Sequence, residues 1–219
     1  MRAAEVELTS LRVGHAAVAN TQAYVVDLPP RLFSPPGHKH IVGLLGEGFL
    51  HRFVTVVDYE TSEIAFFDSL TYTPPRNGFA LPMTLVSGAM VPAVPVSVDG
   101  DTAIFELDTG NGGGPIATAA FAKSGIDRRY PGGAPQSAQG AGGSYSLRTI
   151  CATLFSVGSV GFAHIPMYVQ TSDLGITSEG DFQGSFGYQI LRQFAIALDF
   201  ARSTVYFTPN AGRTAYARC

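Results

Sequence analysis

A carboxylate-bearing triplet is the best candidate for chemistry in this chain of 219 residues. Asp108-Thr109-Gly110 follows the apolar run at 103–107, so the carboxylate is predicted to lie at a strand end, where the backbone turns outward. Thr109 offers a hydroxyl to brace the loop, and Gly110 permits a tight bend. A carboxylate placed in this way can serve as a general acid or base. An isolated triplet of this kind is more often a simple turn, so its meaning depends on the surrounding elements.

An internal repeat provides those elements. Gly43-Leu44-Leu45-Gly46 recurs as Gly184-Ser185-Phe186-Gly187, and the separation of 141 positions holds through residues 66 and 207. Upstream, residues 13–25 correspond to residues 157–169 at a separation of 144. The second copy follows Asp108-Thr109-Gly110, whereas no such triplet precedes the first. The chain therefore reads as one complete unit preceded by the latter half of another.

The local patterns favour an all-β architecture with a minor helical part. Gly, Pro and aromatic residues are abundant, and a doubly wound α/β fold would need long helices that the pattern does not show. Strands are predicted at 54–58, 63–67, 83–86, 93–98, 102–107, 147–157, 195–199 and 204–208. Helical turns are predicted at 47–51, 116–123 and 188–193, a hairpin turn at 98–101, and a mobile loop at 128–143.

Composition excludes several function classes. The net charge of −3, with Lys and Arg scattered, argues against nucleic-acid binding. No apolar run is long enough for a transmembrane helix, and residues 1–7 lack the apolar core of a signal peptide. His38 and His40 have no further ligands at a metal-binding spacing, so neither a metal nor another cofactor is expected. For the two cysteines we expect a buried strand thiol at Cys151 and an unpaired thiol at Cys219, with a disulfide as the alternative.

The order of these motifs resembles one lobe of an aspartic peptidase, and more closely the bacterial retropepsin-like aspartyl protease family. The residues that carry the resemblance are 96–100, 108–111, 140–143, 184–200 and 205–209. Ser185 departs from the usual pair of apolar residues. The resemblance implies lobes of the β-barrel type. It implies a partial first lobe at 1–70, a linker at 71–82, a complete retropepsin-like lobe at 83–210 and a tail at 211–219.

The resemblance also implies hydrolysis of peptide bonds by two aspartates that share a water molecule, without a metal or organic cofactor. Asp108 would be a catalytic carboxylate, and Thr109 and Gly110 would support its loop. Gly142, Gly143 and Tyr145 would belong to a flap over a peptide or protein substrate, an ordinary loop being the alternative. The resemblance implies export, either to the periplasm or by secretion.

This chemistry needs two aspartates, and residues 1–42 contain no second motif. Asp27 lies too late in its copy to replace one. Three explanations stay open: the chain is a fragment, two copies pair so that two Asp108 residues meet, or catalysis has been lost and a peptide-binding groove kept. The sequence therefore predicts an aspartic endopeptidase or, alternatively, a peptide-binding module that lacks the second aspartate.

Overall fold

A computed structural model describes residues 3–26, 41–86, 90–140, 143–171, 182–212 and 216–219. These residues are mostly strands, which confirms the all-β prediction. The strands are β1 (Ala3–Val13), β2 (Ala16–Val26), β3 (Val54–Asp58), β4 (Glu63–Phe67), β5 (Phe79–Pro82), β6 (Thr84–Val86), β7 (Val91–Val98), β8 (Asp101–Leu107), β9 (Ile116–Ala117), β10 (Ala134–Gly140), β11 (Gly143–Val157), β12 (Val160–Gln170), β13 (Gly184–Phe186), β14 (Phe194–Asp199) and β15 (Thr204–Pro209). The helical pieces are α1 (Glu47–Leu50), α2 (Ala119–Phe121), a π-helical turn (Ala122–Ile126), α3 (Asp127–Arg129) and α4 (Tyr188–Leu191).

Eight strands of the complete unit form one sheet, in the order β10-β11-β12-β9-β13-β8-β7-β6. Its core side is set by alternation along β8, where Ala103, Phe105 and Leu107 are buried. The Phe105 ring packs against Phe121 and Phe155, with ring centroids 6.0 and 5.7 Å apart. Burial of such aromatic rings, each contributing about 1.5–3 kcal/mol, anchors β8 in the core.

A second sheet joins the two copies of the repeat, in the order β4-β3-β14-β15-β5. The hairpins β3–β4 and β14–β15 are those predicted from the sequence, with bounds that agree within one residue. β3 pairs antiparallel with β14, and Val56 lies opposite Ala197, its own counterpart at 141 positions. Because β3 pairs antiparallel with its own counterpart, and matching residues lie opposite each other at the centre, a local twofold axis passes between the two strands.

The long hairpin β1–β2 repeats β11–β12 in detail. Gly14 and Gly158 both have positive φ at the turns, where glycine meets no steric penalty. Asn20 and His164, 144 positions apart, share the left-handed conformation with φ of 50° and 52°. Neither residue belongs to a register pair, yet the register of each hairpin is the same on both sides of it, so the two copies share this local irregularity without a shift in pairing. The repeat in the sequence is therefore a repeat in structure.

Three sequence predictions are wrong in detail. Residues 134–140 are strand β10, paired with β11, although their Gly, Ser and Gln content predicted a mobile loop. The helix expected at 116–123 begins at Ala119, because Ile116 and Ala117 pair with β12 as β9. Cys151 and Cys219 form a disulfide, with half-buried Cys151 on β11.

The C-terminal residues are held against the complete unit, and residues that precede this unit add a strand to the five-stranded sheet. The Cys219 amide donates to the His164 carbonyl, and the Tyr216 hydroxyl donates to the Ala163 carbonyl, which holds the end against β12. Residues 79–82, within the segment expected to be a linker, form β5 and pair with β15.

Among the described residues, no helix is long and apolar enough to cross a membrane.

Candidate active site

Asp108 directly follows β8, and the neighbouring strand β13 holds its backbone in place. The Asp108 amide donates to the Phe186 carbonyl at 3.1 Å, which continues the parallel pairing of β8 with β13 past the last strand residue. The residue is half-buried. Because β8 is anchored by Phe105 and flanked by β13, the position of Asp108 is fixed by the core.

The loop after Asp108 leaves one of its carboxylate oxygens open. The Gly110 amide donates to Asp108 Oδ1 at 2.9 Å, and the Asn111 amide donates to the Asp108 carbonyl at 3.1 Å. Asp108 Oδ2 accepts no hydrogen bond from the described residues. Thr109 is exposed, and its hydroxyl has no hydrogen-bond partner within the described ranges. The Gly110 amide thus holds one carboxylate oxygen of Asp108, and Oδ2 is the oxygen left open.

Two glycines of the repeated motif allow the loop to lie against α4. The Tyr188 amide donates to the Asn111 carbonyl at 2.8 Å. A Cβ at Gly187 would collide with the backbone and side chain of Asn111, and one at Gly184 would collide with Ile116 and Phe105. Glycine at these two positions is therefore needed for close packing of the loop, β13 and the neighbouring strands.

Two of the residues predicted to form a flap, Gly143 and Tyr145, lie on strand β11, which pairs with β10. Gly140 lies opposite Gly143 in the last register pair of this hairpin, where β10 ends and β11 begins. Gly142 lies outside the described residues, and Gly143 begins β11. Tyr145 is half-buried, and burial, followed by the negative charge of Asp108, raises its pKa. The structure therefore brings Tyr145 within electrostatic reach of Asp108.

An aromatic pair formed between the two copies also lies near Asp108. Tyr59, in the β3–β4 turn, meets Tyr188 with ring centroids 5.6 Å apart, and the Arg192 guanidinium lies 5.2 Å from the Tyr188 ring centre. Burial raises the pKa of Tyr59, with further contributions from Tyr188 and Asp108. This group could not be predicted from the sequence, because Tyr59 reaches the complete unit only through the pairing of β3 with β14.

Glu106 is a second carboxyl group beside Asp108. It lies two residues earlier on β8, on the strand face opposite buried Phe105 and Leu107, and it is half-buried. Burial, followed by the charge of Asp108, raises its pKa to about 7. A charged residue inside an otherwise apolar strand, two positions before the triplet, was the signal that sequence reasoning missed. Within the described ranges, no group of three or more His, Cys, Asp or Glu side chains is placed to hold a metal ion.

Comparisons with known proteins find distant likeness of structure. No protein-family model and no curated protein sequence matches the chain. A retropepsin-like aspartic protease from Rickettsia conorii is similar at 16% identity over 59% of this chain and 88% of that one, with a TM-score of 0.39. An aspartic proteinase from Irpex lacteus is similar at 15% identity over 96% and 82%, with a TM-score of 0.47. Conglutin gamma, a basic 7S globulin from lupine seeds, is similar at 11% identity over 92% and 67%, with a TM-score of 0.44. At these values the likeness lies in the fold, and the residues of the site alone bear on function.

Proposed function

We propose that this chain contributes one of the two carboxylates of an aspartic endopeptidase, with Asp108 as the catalytic residue. The observation that carries the proposal is the setting of Asp108. It is half-buried at the end of a core strand, with Oδ1 held by the Gly110 amide and Oδ2 open to the site. The negative charge of Asp108 contributes to the raised pKa values of Tyr145 on β11 and of Tyr59 in the β3–β4 turn.

In the proposed reaction Asp108 shares a water molecule with a second carboxyl group. Two carboxyl groups held close together retain one proton between them, because ionising both is costly. The ionised group removes a proton from the water, whose oxygen forms a bond to the peptide carbonyl carbon, while the protonated group donates to the carbonyl oxygen. Collapse of the intermediate breaks the C–N bond, and a proton passes to the leaving amine. This scheme predicts a pH optimum on the acid side.

The substrate is proposed to be an extended peptide under the β10–β11 hairpin. β10 is at the edge of the eight-stranded sheet, so its outer side can pair with an extended backbone. Gly142, Gly143 and Tyr145 are the proposed flap residues, with Tyr145 closing over the peptide near Asp108. The second carboxylate is proposed to come from polypeptide outside this chain, either further sequence of the same protein or another copy. The disulfide suits an oxidising compartment and hence an exported protein.

Replacement of Asp108 tests the proposal. In a preparation that cleaves a denatured protein substrate, Asp108→Asn should lower kcat at least about 100-fold, because the general base is lost. The matched control is Asp68→Asn. Asp68 Oδ1 likewise accepts the amide two residues on, from Leu70 at 2.8 Å, but Asp68 is exposed and has no predicted role. Cleavage products are counted by mass spectrometry from pH 3 to pH 8. Equal loss in both variants, or none in Asp108→Asn, contradicts the proposal.

The second candidate is a peptide-binding module without turnover. It is favoured by the presence of one Asp-Thr-Gly triplet in the sequence. It predicts saturable binding of extended peptides with no cleavage at any pH, and binding that survives Asp108→Asn. Cleavage that depends on Asp108 would exclude it.

A further inference from the structure

An exposed apolar segment is the main feature that the proposed site leaves unexplained. Residues 41–45, named here the acceptor segment, include Val42 and Leu44, which are 90% and 76% exposed. Ile41 and Leu45 of the same segment are 45% and 39% exposed, whereas their counterparts Phe182 and Phe186 are 4% and 0% exposed. This stretch is buried in one copy and exposed in the other. Its exposed apolar side chains indicate an interaction surface.

The glycines of the acceptor segment support this interpretation. Gly184 and Gly187 are required because a Cβ on either would collide with neighbouring elements. Their counterparts Gly43 and Gly46 have no neighbouring atom within 4 Å of such a Cβ. The first copy thus keeps glycine at two positions where nothing in the described structure demands it. Both are explained if strands pack there as they do in the second copy.

The repeat shows which elements would cover the segment. In the complete unit β13 lies between two strands, pairing parallel with β8 and antiparallel with β9. β9 also pairs with β12 at Tyr168 and Val169. Val169 is 1% exposed, whereas its counterpart Val25 on β2 is 61% exposed. In the first copy, β2 and the acceptor segment are the counterparts of the two strands that flank β9. They therefore form the two sides of the position that β9 occupies in the complete unit.

We propose that the acceptor segment, together with the edge of β2 at Tyr24 and Val25, binds a strand–loop–strand segment of polypeptide from outside residues 1–219. Its first strand runs parallel to residues 43–45, as β8 does to β13. Its second strand lies between β2 and the acceptor segment, as β9 does between β12 and β13. Its chemistry is that of residues 91–118, with alternating apolar side chains around a Gly-containing turn.

Residues inside the chain are poorly suited to this role. A second copy would have to release its own β8, whose Phe105 is fully buried, and would open its core in doing so. Residues 27–40 correspond in the repeat to residues 171–181, which precede β13 and are not the counterpart of β8 or β9. The occupant is therefore a partner segment rather than a rearranged part of this chain.

Docking stands on the geometry of the repeat, while the role of a carboxylate in the docked loop rests on the proposed function. The repeat at 141 positions makes the acceptor segment the counterpart of β13, and the pairing of Val56 with Ala197 marks a local twofold axis between the two copies. A loop docked like that of Asp108 would occupy the position related to Asp108 by the same axis. A carboxylate in that loop would supply the second acid, yet binding of the segment does not require one.

Amide hydrogen exchange on the full chain tests the docking, with a synthetic peptide of residues 91–118 as the probe. In the chain alone, amides 43–46 should exchange rapidly, while amides 184–186 of β13 stay protected. With peptide at ten times its Kd, exchange at 43–46 should slow about tenfold, with no change at β13. A peptide with Asn at the position of Asp108 should protect equally, so that failure of docking and failure of the peptidase chemistry are distinguishable.

Two variants test whether the peptide binds specifically at the acceptor segment. Leu44→Asp should abolish protection. Leu70→Asp should retain it, because Leu70 is 88% exposed and corresponds to exposed Ala211. Absence of protection, or protection that survives Leu44→Asp, would overturn the proposal. Protection of 43–46 in the chain alone that grows with protein concentration would make a second copy the occupant, and would overturn it as well.

Discussion

The chemistry available to Asp108 depends on the charges beside it. Glu106 is the nearest carboxyl group along β8, and its pKa is raised to about 7 by burial and by the charge of Asp108. Below about pH 7 Glu106 therefore carries its proton and adds no charge beside Asp108. Above that pH Glu106 loses its proton and places a negative charge beside Asp108.

Glu106 should make the stability of the protein depend on pH. Because its pKa is higher in the folded chain than in the unfolded chain, the native state holds a proton that the unfolded state releases. The free energy of unfolding should fall as pH rises from the ordinary pKa of a glutamate to about 7. Glu106→Gln should flatten this part of the profile, as measured by thermal unfolding from pH 4 to pH 8.

The matched control for that measurement is Glu63→Gln on exposed β4. This variant should keep the wild-type profile, since Glu63 is solvated in both the folded and the unfolded state. A profile that Glu106→Gln leaves unchanged would show that Glu106 does not hold its proton in the way its burial implies.

At the scale of elements, α1 and α4 are the same short helix in two environments. Each begins after a glycine, Gly46 or Gly187, with extended backbone. Gly187 lies against the Asp108 loop through Asn111, whereas Gly46 faces open space in this chain. One local sequence pattern thus supports a packed site in one copy and a free surface in the other.

This difference predicts unequal effects of adding one methyl group. Gly187→Ala should lower the free energy of unfolding by about 1–3 kcal/mol, because the new Cβ forces the Asn111 loop to shift. Gly46→Ala should leave stability nearly unchanged. Chemical denaturation of both variants checks the prediction, and a similar loss in both would mean that the contact with Asn111 is not the cause.

The C-terminal residues depend on a covalent tie. Cys219 joins β11 through Cys151, at a sequence separation of 68 residues. Because this link closes a long loop in the unfolded chain, Cys219→Ser should lower the free energy of unfolding by about 2–4 kcal/mol. Tyr216→Phe, which removes the hydroxyl that donates to Ala163, is the comparison for a noncovalent contact of the same segment. A smaller loss in Cys219→Ser than in Tyr216→Phe would contradict the prediction.

At the scale of the molecule, short-range patterns predicted more than long-range ones. The hairpins at 54–67 and 194–209 and the Asp99-Gly100 turn follow from local alternation and turn residues, and the structure has them. β10 was missed because its side chains are mostly exposed on both faces, so pairing with β11 rather than an apolar pattern makes it a strand. The disulfide was only the alternative expectation, because no local pattern indicates that residue 219 returns to β11.

The candidate site divides in the same way. Asp108 and Gly110 were predicted from a local motif, and their loop is built by local hydrogen bonds. The proximity of Tyr59 could not be predicted, because it depends on a strand pairing between the two copies. Glu106 was visible in the sequence, but its burial, which gives it significance, is set by the strands on either side of β8.

The pairing of β3 with β14 also fixes an order of events during synthesis. β3 leaves the ribosome early, yet β14, its neighbour on the side away from β4, is made about 140 residues later. Contacts between such distant residues carry a high loop-closure cost and form slowly. The β3–β4 hairpin must therefore keep an open edge until β14 has been made. The sheet that joins the two copies is consequently expected to close after most of its strands have been synthesised, whereas hairpins such as β1–β2 can form as they are made.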